Sequence, residues 1–210
     1  MVIKELFQMP KKPDLNQLDT DSEKFLKLGG HPVLDFVNTK AIHANSTEDR
    51  LSQPDHARLF FKEAFRVSCT PTPRDFKETI EIRQIFREFF ESLITKSISN
   101  SAILQINDFL SKLSFSPEVF VLNTGKIGNT WKSTRKESVQ VSTLVLQFLG
   151  FVSKAELSRL KKCANPNCSH LFYDSSRNNT RNWCSMKSCG NIMKAREFYK
   201  RSKKKQSEQG

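Results

Sequence analysis

From residue 51 onward the apolar positions recur at three- and four-residue spacing, the period of helices with one buried face. Ser52-Gln-Pro-Asp55 places a proline and an acid in a first helical turn, and Leu59, Phe60, Ala64 and Phe65 follow on one side. Thr72-Pro-Arg-Asp75 repeats that start and opens the longest stripe, through Ile82, Ile85, Phe86, Phe89, Phe90, Leu93 and Ile94. Glu81, Arg87, Glu88 and Glu91 form its predicted solvent face. Ala102–Leu113 predicts a further helix, with Ile103, Ile106, Leu110 and Leu113 inward. Glu118–Leu122 and Asn129–Lys132, joined through Gly125 and Gly128, read as a β-hairpin. Val139–Leu149 is again helical, and Ser153-Lys-Ala-Glu156 has the capping-box pattern of a helix that leads to Cys163.

Upstream, Gly29-Gly30 and Pro32 break the chain before a compact apolar segment, Val33–Val37, interrupted by Asp35. Asp35 and Asn38 could hold a small molecule, but such residues more often cap helices or satisfy nearby backbone groups. His31 and His43 have no spaced partner that would make either a metal ligand. Residues 1–20 read as a flexible N-terminus, and Cys69 as an unpaired thiol.

After Lys162 the pattern changes. Cys163, Cys168, Cys184 and Cys189 form two C-x4-C pairs separated by fifteen residues. Two such pairs can close a tetrahedral four-thiolate zinc site, with no coordination position left for a substrate. A C-x-x-C redox pair is absent, and the N-terminal seventeen residues lack the apolar run of a secretory signal, so cytoplasmic, reduced thiols are expected. His170 stands two residues after Cys168 and is a polar residue entering a strand, or a substitute for one sulfur. His170–Tyr173 predicts that short strand, 174–180 a polar turn, and Asn182–Cys184 the returning strand. Gly190 permits a close approach to the metal, and a helix from Ile192 to Lys205 buries half of a stripe of Ile192, Met193, Ala195, Phe198 and Tyr199. The result is a treble-clef-like finger capped by Phe172 and Trp183.

The run Cys163-x4-Cys168, Phe172-x-Asp174-x-Ser176-Arg177, Arg181-x-Trp183-Cys184-Ser185-Met186 and Cys189-Gly190-Asn191 resembles the CGNR zinc finger. Ile192 stands where that family's naming motif has arginine. The segment Leu28–Thr39 and the Ile-Arg-Gln-Ile-Phe-Arg stretch resemble the entry motif and a helix of the ABATE domain, which usually precedes this finger. The resemblance implies a stress-induced transcription regulator. It divides the chain into an ABATE-like, mostly helical domain over 21–150, a finger over 151–202 and a flexible basic tail over 203–210.

Charge adds the expected partner. The formal net charge is +12, and residues 150–210 carry +10 of it. That concentration on one module is the footprint of a polyanion. The expected function is therefore zinc-dependent binding of nucleic acid, double-stranded DNA before RNA, by a protein that is not an enzyme. The proposed contacts are Arg177, Arg181, Lys187, Asn191, Lys194, Arg196, Lys200 and Arg201, with Asn191, Lys194 and Arg201 nearest to base edges. The N-terminal domain is assigned a small-molecule effector or self-association. A nuclease would need an open metal site, and no apolar run is long enough to span a bilayer.

Overall fold

The computed structural model describes residues 25–43, 46–95, 100–121, 127–133 and 138–207. The predicted flexible N-terminus, residues 1–20, lies outside the described residues. Among the described residues six helices carry the architecture: α1 Pro32–Val37, α2 Pro54–Phe65, α3 Pro73–Ile94, α4 Asn100–Ser111, α5 Val139–Val152 and α6 Asn191–Ser207. Three antiparallel two-stranded ribbons accompany them: β1 Lys40–His43 with β2 Ser46–Asp49, β3 Phe115–Val121 with β4 Ile127–Ser133, and β5 Leu160–Lys162 with β6 Leu171–Tyr173. The fold is mainly α, as the periodicity predicts.

Helix α5 sits at the centre because its sequence, VQVSTLVLQFLGFV, is apolar almost all round. The α3 stripe packs on it through aromatic rings. Phe86 stacks on Phe148 at 4.2 Å, and Phe89 and Phe90 meet the same ring at 5.3 and 5.7 Å. Thr72 caps α3 in a reciprocal capping box with Asp75.

Two local predictions fail, for one reason. The capping-box pattern at Ser153 does not start a helix; Ser153 ends α5, a single 3-10 turn at Leu157–Arg159 follows, and the chain enters β5. The partner of β6 is therefore β5, in front of Cys163, and not Asn182–Cys184 behind it. Pairing Leu160 with Tyr173 and Lys162 with Leu171 buries Leu160 and Leu171 in the helical core. That tertiary gain outweighs a local cap signal worth about 1 kcal/mol. The first cysteine knuckle thus becomes the loop of the β5–β6 hairpin.

The finger and the helical part share that core. Asn38 donates to Leu171 O at 2.7 Å and accepts from Leu171 N–H at 2.9 Å, both buried. Tyr173 N–H donates to Gly29 O at 2.8 Å, and Gly30, at φ 76°, lies with its Cα face against Tyr173 O. A side chain at Gly30 would strain the backbone and crowd that carbonyl at once. Phe151 contacts His31 at 4.6 Å and Tyr173 at 5.6 Å, so α5 touches both the entry loop and the finger.

Candidate metal centre

Four sulfurs converge at the end of the β5–β6 hairpin. Cys163 and Cys168 come from its loop; Cys184 precedes, and Cys189 ends, a segment whose single π-helical turn spans Met186–Gly190. Ser185 caps that turn by accepting from Ser188 N–H. A Cβ at Gly190 would lie 2.5 Å from Met186 Sδ and 3.1 Å from the Trp183 ring, so a larger residue there would displace the Met186 side chain. All four residues are buried, and their Sγ atoms lie within 4.8 Å of one another. Cys184 Sγ is 3.7 Å from both Cys168 Sγ and Cys189 Sγ. A tetrahedron with metal–sulfur bonds of about 2.3 Å has edges of about 3.8 Å, so the donor set fits a tetrahedral metal ion.

The surroundings suit thiolates. Cys184 N–H donates to Cys163 Sγ at 3.4 Å, and Asn165 Nδ2 donates to Cys189 Sγ at 3.3 Å. Hydrogen bonds from the Cys168 and Cys184 thiols hold Cys163 far below the ordinary thiol range. The same contacts with Cys163 push Cys168 up to about 12 and raise Cys184 as well. A bound cation is what lets all four sulfurs lose their protons together. Phe172 and Trp183 close the site on the apolar side, as their sequence predicts.

The sequence-predicted contact residues divide into two groups. Arg181 does not face solvent. Its guanidinium lies 4.4 Å over the Phe172 ring and donates to Trp183 O, Leu28 O and Cys184 O. That arginine fastens the ligand loop to the N-terminal segment through Nε and Nη2. Asp174, fully buried, makes the matching anionic anchor: it accepts from Lys161 Nζ and Arg181 N–H at 2.8 Å and from Ser176 N–H at 2.9 Å. Burial raises its carboxyl, but Lys161 and the N–H donors outweigh burial and hold it well below the carboxylate range.

Arg177, Lys187, Asn191, Lys194, Lys200 and Arg201 are exposed. Asn191 donates to Lys187 O at 3.2 Å, and Arg196 is partly buried beside Met193. Asn191, Lys194, Phe198 and Arg201 fall on one face of α6, away from partly buried Ile192, Met193 and Arg196. Phe198 and Tyr199 are 65% and 67% exposed, so the predicted half-buried stripe is buried only at the base of the helix. The helix also continues to Ser207, which takes Lys203–Lys205 into α6 rather than into a tail.

One histidine pair escaped the sequence pattern. His43 Nδ1 lies 3.7 Å from Cys168 Sγ and 3.8 Å from Cys184 Sγ, and its ring stacks on that of His170 at 4.6 Å. His43 precedes Cys168 by 125 residues, a separation that no local spacing rule detects. Arg87 was likewise assigned to solvent; instead its Nη2 donates to Ser169 O at 2.7 Å. Cys69 lies apart from the four sulfurs and lines an open cleft with Arg58, Lys62, Ser68 and Thr70.

Comparison with known families finds two matches. Residues 159–202 match the CGNR zinc finger. Residues 30–149, more than half of the chain, match ABATE, described as "Putative stress-induced transcription regulator". The chain belongs to the ABATE family. No curated protein matches it. The ABATE match holds α1 to most of α5, and the finger match begins at the last residue of the 3-10 turn. Among the described residues no helix is long and apolar enough to cross a membrane.

Proposed function

We propose that this ABATE protein is a zinc-dependent nucleic-acid-binding regulator that binds duplex DNA through α6. Four thiolates in a closed tetrahedral set favour zinc, which leaves no open position and so serves structure rather than catalysis. The observation that carries the binding reading is the face of α6. Seven Lys/Arg and a single acid, Glu197, lie within Asn191–Ser207, and Lys194 and Lys200 are exposed with no ion pair among the described residues. Among the described residues Arg201 is engaged by Glu197 alone, through its backbone carbonyl at 3.4 Å and its exposed carboxylate at 3.8 Å, a pairing weak enough to exchange for a phosphate. The cysteine centre orients the first turn of α6, so metal binding fixes the direction in which these cations project.

On this reading Lys194 and Arg201, beside Asn191, face base edges, while Arg177, Lys187 and Lys200 meet phosphates. Exposed Phe198 and Tyr199 favour one second reading, single-stranded nucleic acid or RNA held by stacking. The helical domain then carries the response to an effector or to a second copy. The deciding measurement is a salt titration of zinc-loaded protein on duplex DNA, duplex RNA and single strands. Contacts with about five phosphates give a log–log slope near −4.5, and Lys200→Ala flattens it by about one. Preference for single strands selects the second reading, and absence of binding to all three at low salt rejects both.

A further inference from the structure

The β1–β2 ribbon of the ABATE domain reaches into the metal centre. Its last β1 residue, His43, places Nδ1 at 3.7 and 3.8 Å from two of the four sulfurs, the distance of an N–H···S hydrogen bond shared between them. A divalent ion with four thiolates carries a net charge of about −2, and such buried sulfurs are stabilised by N–H donors. Cys163 and Cys189 receive theirs from Cys184 N–H and Asn165 Nδ2. Cys168 Sγ and Cys184 Sγ have His43 Nδ1 as their nitrogen neighbour.

The His43 side chain is held in place from three sides. The ring stacks on buried His170, with 19° between the planes. The preceding residue pairs with the finger: Ser169 N–H donates to Ile42 O at 2.8 Å and Ile42 N–H donates to Ser169 Oγ at 2.9 Å. Helix α3 then holds the ribbon on one side and the finger on the other. Buried Arg83 forms a two-pronged pair with Asp49 of β2 at 2.7 Å, and Arg87 donates to Ser169 O.

We propose that His43 is an outer-sphere donor to the metal-bound Cys168 and Cys184 thiolates, through an Nδ1–H tautomer, so that the ABATE domain completes the metal centre of the finger. The inference rests on the four-cysteine metal reading and extends it to a residue outside the finger. Metal affinity is then set jointly by both parts of the chain, and a displacement of the β1–β2 ribbon loosens the metal.

The test compares full-length wild type, His43→Phe and His43→Asn by zinc competition against a chromophoric chelator and by cobalt(II) absorption. Phe keeps the ring stack and removes the donor; Asn offers an amide N–H close to the Nδ1 position. We expect His43→Phe to weaken zinc binding 10- to 100-fold, the usual effect of losing an outer-sphere partner. His43→Asn is expected to recover most of that loss, and all three proteins to keep a four-sulfur cobalt spectrum. Equal losses in both variants would mean a packing role, and no loss in either would mean no role; each overturns the proposal. A wild-type spectrum of three sulfurs and one nitrogen that changes in His43→Phe would make His43 a ligand and overturn it too. Wild-type protein that takes up neither metal would reject the metal reading itself, an outcome distinct from all of these.

Discussion

Asp35 shows how a single side chain can set a pH dependence. Its Oδ1 accepts from Gly29 N–H at 2.7 Å, and burial pushes its carboxyl up to about 7 against that hydrogen bond and the charges of Lys27 and Arg181. A carboxyl raised in the folded state contributes stability that is fully present below its unfolded value near 4 and is lost as the pH climbs through about 7. His31 works in the opposite sense: burial lowers it to about 4, so its contribution is present above the ordinary imidazole value and lost as pH falls. Asp35→Asn keeps an acceptor for Gly29 and cannot ionise. Thermal melts between pH 5 and 8 should show wild type losing stability as pH rises and Asp35→Asn losing less. The expected difference at pH 8 is on the order of 1–3 kcal/mol, since the residue is only partly enclosed. Asn38 is the second residue of this kind. Asn38→Ala orphans two buried backbone groups of Leu171, and urea melts should register about 2–4 kcal/mol.

At the scale of elements, α6 and the ligand loop use arginine and lysine for opposite purposes. Arg181 is a fork inserted among three carbonyls over an aromatic ring, a geometry that lysine cannot copy. Arg181→Lys should lower the stability of the zinc-loaded protein by about 2–4 kcal/mol and leave the salt slope of nucleic-acid binding unchanged wherever the protein stays folded. Lys200→Ala should do the reverse, with an unchanged melt and a flatter slope. Differential scanning calorimetry beside salt titrations separates the two. If Arg181→Lys flattens the slope at full stability, the internal role assigned to Arg181 fails. The β5–β6 hairpin makes the same point about position: Leu160 and Leu171 face the helical core while its loop holds two metal ligands.

For the whole molecule, shared burial predicts shared unfolding. The finger has a small cluster of its own around Phe172 and the four cysteines, but its hairpin also puts Leu160 and Leu171 into the helical core, and Phe151 packs on Tyr173. Chelation of the metal, or Cys184→Ser, should therefore lower a single transition by about 10 °C or more rather than delete one of two. The check is calorimetry with and without chelator, followed in parallel by far-ultraviolet circular dichroism. Two resolved transitions would show that the finger and helices unfold independently despite the common core.

The amphipathic stripes of α2 to α5, the cap at Thr72, and the spacing of Cys163, Cys168, Cys184 and Cys189 are local facts, and local facts are legible in sequence. Helical period and cysteine spacing hold whatever surrounds them, so the fold class and the four-cysteine cluster were legible in the chain alone. The pairing of β5 with β6, the inward turn of Arg181 and Arg87, and the arrival of His43 beside two sulfurs were decided by tertiary packing. Each depends on a partner far along the chain, and the same arginine or histidine would suit solvent equally well. Only the closed core, which removes water from these groups and offers carbonyls and thiolates instead, distinguishes a structural donor from a surface charge.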